Sequence, residues 1–403
     1  MHLYTVPLVL VLAGLVLYAV LGGADFGAGL WQLLAGGGER GRRVRDHAHH
    51  ALAPVWEANH VWILFVVTVS WTAYPQAFAS IASTLSVALF IAGLGIIFRG
   101  ASYALRAGVE DPQKVDVVFA LSSILTPFAL GAAVGGIASM RVPVGNAAGD
   151  LLSSWLNPTS VLVGLLAVVF SGYLAAVYLA ADSRRLGDAE LEDYFRGRAL
   201  VAALVAGALA VAGLLVLHSD ARRLFDGLVD GDGLPALIVS GLAGAATFWL
   251  VWRRRYELAR VGASLAVAAV MVGWALAQQP VILPGLTVSQ AAAPHETLVA
   301  VIVAVVAGAV VLFPSLALLF SLVLRGRFDR ARPAEPPTAP RSADLMRASR
   351  RGLLVRSALA CLVAGVGFLN VAEAGWAHAI GVAALVVFVL LGFLALVPRD
   401  LAT

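Results

Sequence analysis

Residues 7–34 read PLVLVLAGLVLYAVLGGADFGAGLWQLL, a stretch with one charge, Asp25. About 20 apolar residues suffice to cross the hydrocarbon core of a bilayer as a helix. Comparable runs recur along the chain, the last being Ala377–Val397. Of the 403 residues, 60% are hydrophobic and 13% are charged, against roughly 25% charged in soluble domains. That leaves too little polar surface to keep a particle of this size in water. The sequence therefore predicts an all-α integral membrane protein.

The apolar runs predict eleven helices, over 5–34, 50–74, 77–106, 115–139, 159–181, 198–218, 235–252, 260–278, 297–324, 353–371 and 376–397. The first nine form one membrane domain, 1–325. Residues 326–352 are an arginine- and proline-rich linker whose Arg-Pro-Ala-Glu-Pro-Pro-Thr-Ala-Pro stretch cannot be helical. Residues 353–403 are a two-helix membrane appendage. No loop is long enough to bury a core of its own. The start of the chain has no basic region and no small-residue cleavage pattern, so the first helix is expected to be retained. The lone cysteine, Cys361, falls in an apolar run, where inert packing is expected.

Basic residues orient the chain. Loops one, three, five, seven and nine, with Arg399, hold 25 of the 28 lysines and arginines; Arg141, Arg222 and Arg223 lie on the other side. Loop three in this count comprises Arg99, Arg106 and Lys114. Positive residues stay cytoplasmic, which predicts the N-terminus outside and the C-terminus in the cytoplasm of a bacterial plasma membrane. The net charge of +4 follows from this bias. The basic residues form no interleaved basic–aromatic patch, so no nucleic-acid partner is expected.

Ionisable groups inside spanning helices are costly and point to function. Asp25 lies two thirds of the way down helix 1; Glu57 and His60 lie early in helix 2, within Pro54-Val55-Trp56-Glu57-Ala58-Asn59-His60-Val61-Trp62. Helix 1 runs inward and helix 2 runs back, so Asp25 and Glu57 both fall in the cytoplasmic half, with His60 near mid-membrane. Glu57 and His60, three apart, share a helical face. A carboxylate beside an imidazole, with Asn59 one step round, suits proton passage. The same residues suit interhelical hydrogen bonding equally well. A di-metal site would need a second Glu-x-x-His, and none occurs. Haem would need a second axial ligand at the depth of His60, and Met271 is the one residue at that level. No metal and no haem are expected in this chain.

Several segments resemble subunit II of cytochrome bd-type quinol oxidases. Gly22-Gly23-Ala24-Asp25-Phe26-Gly27-Ala28-Gly29 is similar to a family motif with two aspartates, of which Asp25 matches the second and Gly22 replaces the first. The segment from Pro54 to Trp62 resembles Pro-x-Trp-Asp-Gly-Asn-x-Val-Trp, with Glu57 in place of the aspartate and His60 on a position usually Glu or Gln. Phe98-Arg99 ends helix 3 as in the family. Trp274-Ala275-Leu276-Ala277-Gln278-Gln279-Pro280, with the residues through Pro294, resembles the outer loop of the cyanide-insensitive branch. The match stops before the linker.

The resemblance implies a quinol:dioxygen oxidoreductase that reduces dioxygen to water with cytoplasmic protons. Haem b and haem d, and the quinol-oxidising loop, would belong to subunit I, a separate partner chain. This chain would be the haem-free, pseudo-symmetric partner, inactive alone. It would supply a proton path through Asp25, Glu57, Asn59 and His60, with membrane lipid around it and a structural quinone or lipid as a further ligand. Two other functions fit the residues. One is a proton-coupled secondary transporter with a buried Asp/Glu/His relay, to which the proline-interrupted helix 4 (Ser122–Pro127) lends some support. The other is a purely structural membrane partner.

Overall fold

Residues 2–52, 56–105, 112–324, 353–354, 356–365, 368 and 375–396 are described in a computed structural model of the chain. The chain divides into two compact units, Met1–Phe328 and Asp329–Thr403.

The opening apolar run forms α1, Leu3–Leu33. It is regular over Val6–Leu17, opens into a wide π-type turn at Tyr18–Gly22, and is regular again over Gly23–Leu33. The following segment, read from sequence as loop one, is instead a helix, α2 (Gly38–Leu52). Val44 and Ala48, four apart, are buried on one face, while its arginines lie outward. This is the pattern of a helix lying along a bundle end, and it is too polar to be found by scanning for spans.

The predicted second helix is α3, Trp56–Ala73. The predicted third helix is two helices, α4 (Pro75–Thr84) and α5 (Ser86–Leu105), meeting at 80°. Ser80 and Ser83 on α4 accept bonds from Gly145 N (3.0 Å) and Ala147 N (2.8 Å). The loop over residues 139–157 thus anchors α4, and the chain turns at the buried Leu85.

The remaining helices follow the predicted order with longer polar ends. They are α6 (Pro112–Ala138), α7 (Pro158–Arg185), α8 (Ala189–Asp220), a short α9 (Arg222–Val229), α10 (Leu234–Trp252) and α11 (Tyr256–Gln278). A hairpin of β1 (Val281–Leu283) and β2 (Leu286–Thr287) turns at Gly285, whose positive φ of 73° suits glycine. Then come α12 (Val288–Ala291), closed by a Thr287/Gln290 capping box, and α13 (His295–Leu324). In the second unit are α14 (Arg356–Gly365) and α15 (Gly375–Leu396), in contact where Gly365 meets Leu385. The linker expected at 326–352 lies outside the described residues.

Among the described residues, seven helices are long and apolar enough to cross a membrane, or eight if α4 and α5 make one bent crossing. The apolar part of α3, Asn59–Ala73, is shorter.

Leu174, Ala175, Ala176, Val177, Leu179 and Ala180 are wholly buried, so the later half of α7 is enclosed on every side. A helix apolar all round belongs in a core, and its small residues let α1, α6, α8 and α11 approach closely. At Gly27 on α1 a side chain would run into the Ser171 carbonyl and to 2.7 Å from Ala175 Cβ.

Ion pairs gather three connections at one end of the bundle. Arg43 of α2 binds Asp188 (2.6 Å) and Glu190 (2.5 Å). Arg254, after α10, binds Glu192 (2.8 Å) and Asp193 (2.5 Å) at the start of α8. Asp188 also caps α8 by accepting from Leu191 N (3.1 Å). That backbone bond and the Arg43 guanidinium hold its carboxyl below the usual carboxylate range. At the other end of α8, Asp220 takes both Arg141 nitrogens (2.8 and 2.6 Å) and the Thr159 hydroxyl (2.6 Å). This holds the Arg141 guanidinium above its ordinary value. At 1.5 Å per residue the two clusters are roughly 48 Å apart along α8.

The Gly27 contact sets a first test. Gly27→Val should drive α1 off α7 and cost about 1–3 kcal/mol or more, since the obstacle is backbone. Gly93→Ala, with nothing within 4 Å of the added methyl, should be neutral or slightly stabilising. Thermal unfolding of the two purified variants checks the contrast.

Candidate functional site

The polar residues of the membrane interior converge where α1, α3, α5 and α6 meet. Asp25 and Arg99 are both wholly buried. Arg99 Nη2 lies 2.6 Å from Asp25 Oδ1 and 2.7 Å from the Asp25 carbonyl, and Nε lies 3.3 Å from Oδ2. Arg99 Nη1 donates to the Ser123 hydroxyl on α6, which in turn donates to Phe119 O (2.5 Å). The guanidinium also lies 5.1 Å from the Phe26 ring centroid and 4.1 Å from that of Phe119.

Each local feature has a sequence cause. Gly29, one turn after Asp25, has no side chain, and a Cβ there would strike Ser123 and approach Arg99 Nη1 to 3.1 Å. This lets α6 and the guanidinium reach the face of α1 that carries Asp25. Aromatic faces suit a desolvated guanidinium. A carboxylate in contact through both oxygens compensates its charge, which is the condition for placing either group inside a membrane.

This placement corrects the sequence analysis. Arg99 was assigned to loop three, but α5 continues to Leu105 and carries Arg99 into the bundle. It is no longer part of the positive-inside count. Arg106 and the Lys114 side chain lie outside the described residues.

Asn59 is buried on α3 and donates from Nδ2 to Leu21 O (3.3 Å), inside the wide turn of α1. Wide turns loosen the regular bonding ladder and expose carbonyls to such donors. His60 is half-buried. Its Nδ1 lies 3.4 Å from the Tyr18 hydroxyl, and its ring packs on Tyr18 (5.9 Å) and Phe26 (6.1 Å). Phe26 therefore touches both the His60 imidazole and the Arg99 guanidinium. Glu57 falls in the first turn of α3, and its side chain lies outside the described residues. Of the four expected residues, Asp25, Asn59 and His60 thus surround one stretch of α1, from Tyr18 to Phe26. Tyr18, Arg99 and Ser123 were missed. Arg99 had a signal, being a lone cation after an apolar run and thus a counterpart for the lone acid of helix 1. Tyr18 and Ser123 had none.

An apolar cavity of about 540 Å³ lies beside this cluster, lined by Leu15, Tyr18, Phe26, Leu166, Met271 and Trp274 among others. Met271 faces the cavity, whereas among the described residues His60 does not line it. Among the described residues no group of three or more His, Cys, Asp or Glu is placed to hold a metal ion.

Residues 3–323 match the family described as cytochrome bd terminal oxidase subunit II. The chain belongs to that family. Over 249 residues it is 25% identical to the cytochrome bd-I ubiquinol oxidase subunit 2 of Escherichia coli (strain K12), covering 58% of this chain and 62% of that one. It is 25% identical over 261 residues to the cytochrome bd ubiquinol oxidase subunit 2 of Bacillus subtilis (strain 168), covering 62% and 74%. A putative cytochrome bd menaquinol oxidase subunit II from the same strain is 21% identical over 324 residues, covering 77% and 92%. A chain in the structure of bd oxidase from Geobacillus thermodenitrificans superposes with a TM-score of 0.63 at 26% identity, over 80% of this chain and 99% of that one. The chain thus aligns with about three fifths of the length of the Escherichia coli relative. Its second unit lies beyond the family match, which ends at residue 323.

The buried pair of this subunit II family member predicts a specific pattern of stability. Arg99→Met should leave Asp25 uncompensated and cost about 3–5 kcal/mol. Asp25→Asn should cost a similar amount by stranding the guanidinium. The double variant Asp25→Asn/Arg99→Met removes both charges and should lie closer to the parent than the sum of the two single losses. Thermal unfolding in detergent tests this order; additive losses would mean that the two charges do not depend on each other.

Proposed function

We propose that this chain is the haem-free second subunit of a membrane quinol:dioxygen oxidoreductase. It packs against a haem-bearing subunit I and contributes a proton path from the cytoplasm. The family match over residues 3–323 carries the first part. The convergence of Asp25, Asn59 and His60 on one stretch of α1 supports the second. In the partner, haem b and haem d would supply electron transfer and the oxygen site. A structural quinone or lipid tail fits the apolar cavity in size and character. The transporter alternative rests on the same acids and on Pro127, all of which lie within the family match.

The chemistry falls to few residues. Glu57, at the start of α3, takes a proton from the aqueous end. His60 can accept on one ring nitrogen and release from the other, with the Tyr18 hydroxyl close to Nδ1. Arg99 and Asp25 cancel one another, so the region carries no net positive charge to oppose a proton. Asn59 holds α3 on α1 and sets where His60 stands. Asp25 serves here as the counter-charge that keeps Arg99 buried, and is the least mobile member of the route.

The test uses the complex. Glu57→Gln keeps size and removes the titratable proton; it should assemble with full haem content in the partner and lose most oxygen-reduction turnover. Glu57→Asp should retain much more, and His60→Gln should have a milder effect. Parental turnover in Glu57→Gln would remove Glu57 from the route.

The orientation, N-terminus outside and C-terminus cytoplasmic, belongs to the same proposal. Its support is the ion-paired end of the bundle, where three arginine-bearing connections meet. Cysteines placed at 40–45 and 341–347 should resist an impermeant thiol reagent added outside intact cells. Labelling of both would reverse the orientation.

A further inference from the structure

α8 enters the membrane with a charge at its edge. Residues 199–217 are uncharged throughout, a length of about 28 Å that matches the hydrocarbon core. Arg198 immediately precedes this run and therefore stands at the level of the lipid headgroups. It is half-buried, its guanidinium lying 3.3 Å from the ring centroid of the buried Tyr194 and 5.8 Å from that of Trp31. Arg40 of α2 approaches the same Tyr194 ring, at 5.0 Å. One tyrosine therefore holds two guanidiniums.

Like charges do not gather without a counter-charge, and the nearby carboxylates are engaged mainly by other arginines. Asp188 and Glu190 bind Arg43 at 2.6 and 2.5 Å, and Glu192 and Asp193 bind Arg254 at 2.8 and 2.5 Å. Glu190, shared with Arg43, also forms a looser ion pair with Arg40 at 3.8 Å, which leaves most of the Arg40 guanidinium unengaged. Among the described residues no carboxylate pairs with Arg198. A guanidinium held over an aromatic ring carries several N–H donors, which suit a phosphate. Just past Trp31, Leu33 and Leu34 are 43% and 53% exposed, an apolar surface where acyl chains would lie.

We propose that Arg198 and Arg40, held on Tyr194, form a binding site for the phosphate of an anionic phospholipid at this end of the bundle. The site is separate from the apolar cavity and does not depend on the oxidase assignment. It ties α2 and α8 to the membrane surface through one headgroup, and the acyl chains would run along the end of α1.

The test uses the full chain purified in its complex and stripped of lipid. Phosphatidylglycerol, phosphatidylcholine and inorganic phosphate are added in parallel. Retained lipid is read by native mass spectrometry, and the unfolding midpoint is read alongside it. Phosphatidylglycerol should be retained and raise the midpoint more than phosphatidylcholine. Each of Arg198→Gln and Arg40→Gln should weaken that response roughly fivefold, the factor for about 1 kcal/mol per basic residue at a membrane surface. Arg198→Lys, which keeps charge but not stacking, should fall between. A parental response in the double glutamine variant would overturn the proposal. So would inorganic phosphate reproducing the whole effect, since that would assign the cations to a free anion. Should Arg198→Gln not assemble, the exposed Arg40→Gln decides alone, and an unchanged phosphatidylglycerol response there overturns the site.

Discussion

The ion pair between Asp25 and Arg99 is the constraint on which the first unit depends. An isolated charge in the middle of a bilayer costs several kcal/mol, and the two groups remove that cost only while they are in contact. Contact requires α1, α5 and α6 to meet within a few ångströms. That explains why Gly29 is bare, why Ser123 reaches the guanidinium, and why Phe26 and Phe119 line it. Small residues do the equivalent on the other face of α1, where Gly27 lies against α7. In lipid there is little hydrophobic drive between helices, so close packing and a few buried polar contacts must specify which helices are neighbours.

Much of this was legible in the sequence, and the failures share a cause. Spans were found because an uninterrupted apolar run is a one-dimensional signal. The α2 helix was missed because a hydropathy scan looks for length, and its apolar face is only Val44, Ala48 and their neighbours. The bend between α4 and α5 was missed because it is held by a loop some 65 residues away, through Ser80 and Ser83. Arg99 was placed at a helix end because counting charges along a chain cannot tell a loop arginine from one whose partner sits on another helix. Asp25, Asn59 and His60 were found as unusual residues in apolar surroundings. What the sequence could not supply was their division of labour, in which Asp25 answers Arg99 while Asn59 and His60 attend to the wide turn of α1.

The two ends of the bundle are built on different principles. At one end, several connections meet in exposed ion pairs, each worth little alone, whose combined effect is to keep α2, α8 and the α10–α11 connection together. At the other, one partly buried carboxylate, Asp220, gathers Arg141 and Thr159. The first arrangement leaves arginines over for other ligands; the second commits Arg141 to a single carboxylate. A helix bundle that lies between two leaflets has use for both, a fixed end and an end that can engage its surroundings.

The wide turn at Tyr18–Gly22 sets the phase of everything after it. A turn of this kind holds one residue more than a regular one, and each residue advances a helix by about 100° and 1.5 Å. The half of α1 before the turn and the half after it are thus offset in angle. The surplus residue is what points Asp25 at Arg99 and Gly27 at Ser171 simultaneously. Were the turn regular with the same residues, every position after it would be rotated by about 100°, and Asp25 would point away from Arg99. Removing one residue between 18 and 22 would instead let the turn close into a regular one while the lower half of α1 kept its orientation. The geometry of the buried cluster is therefore encoded as a count of residues together with the width of one turn.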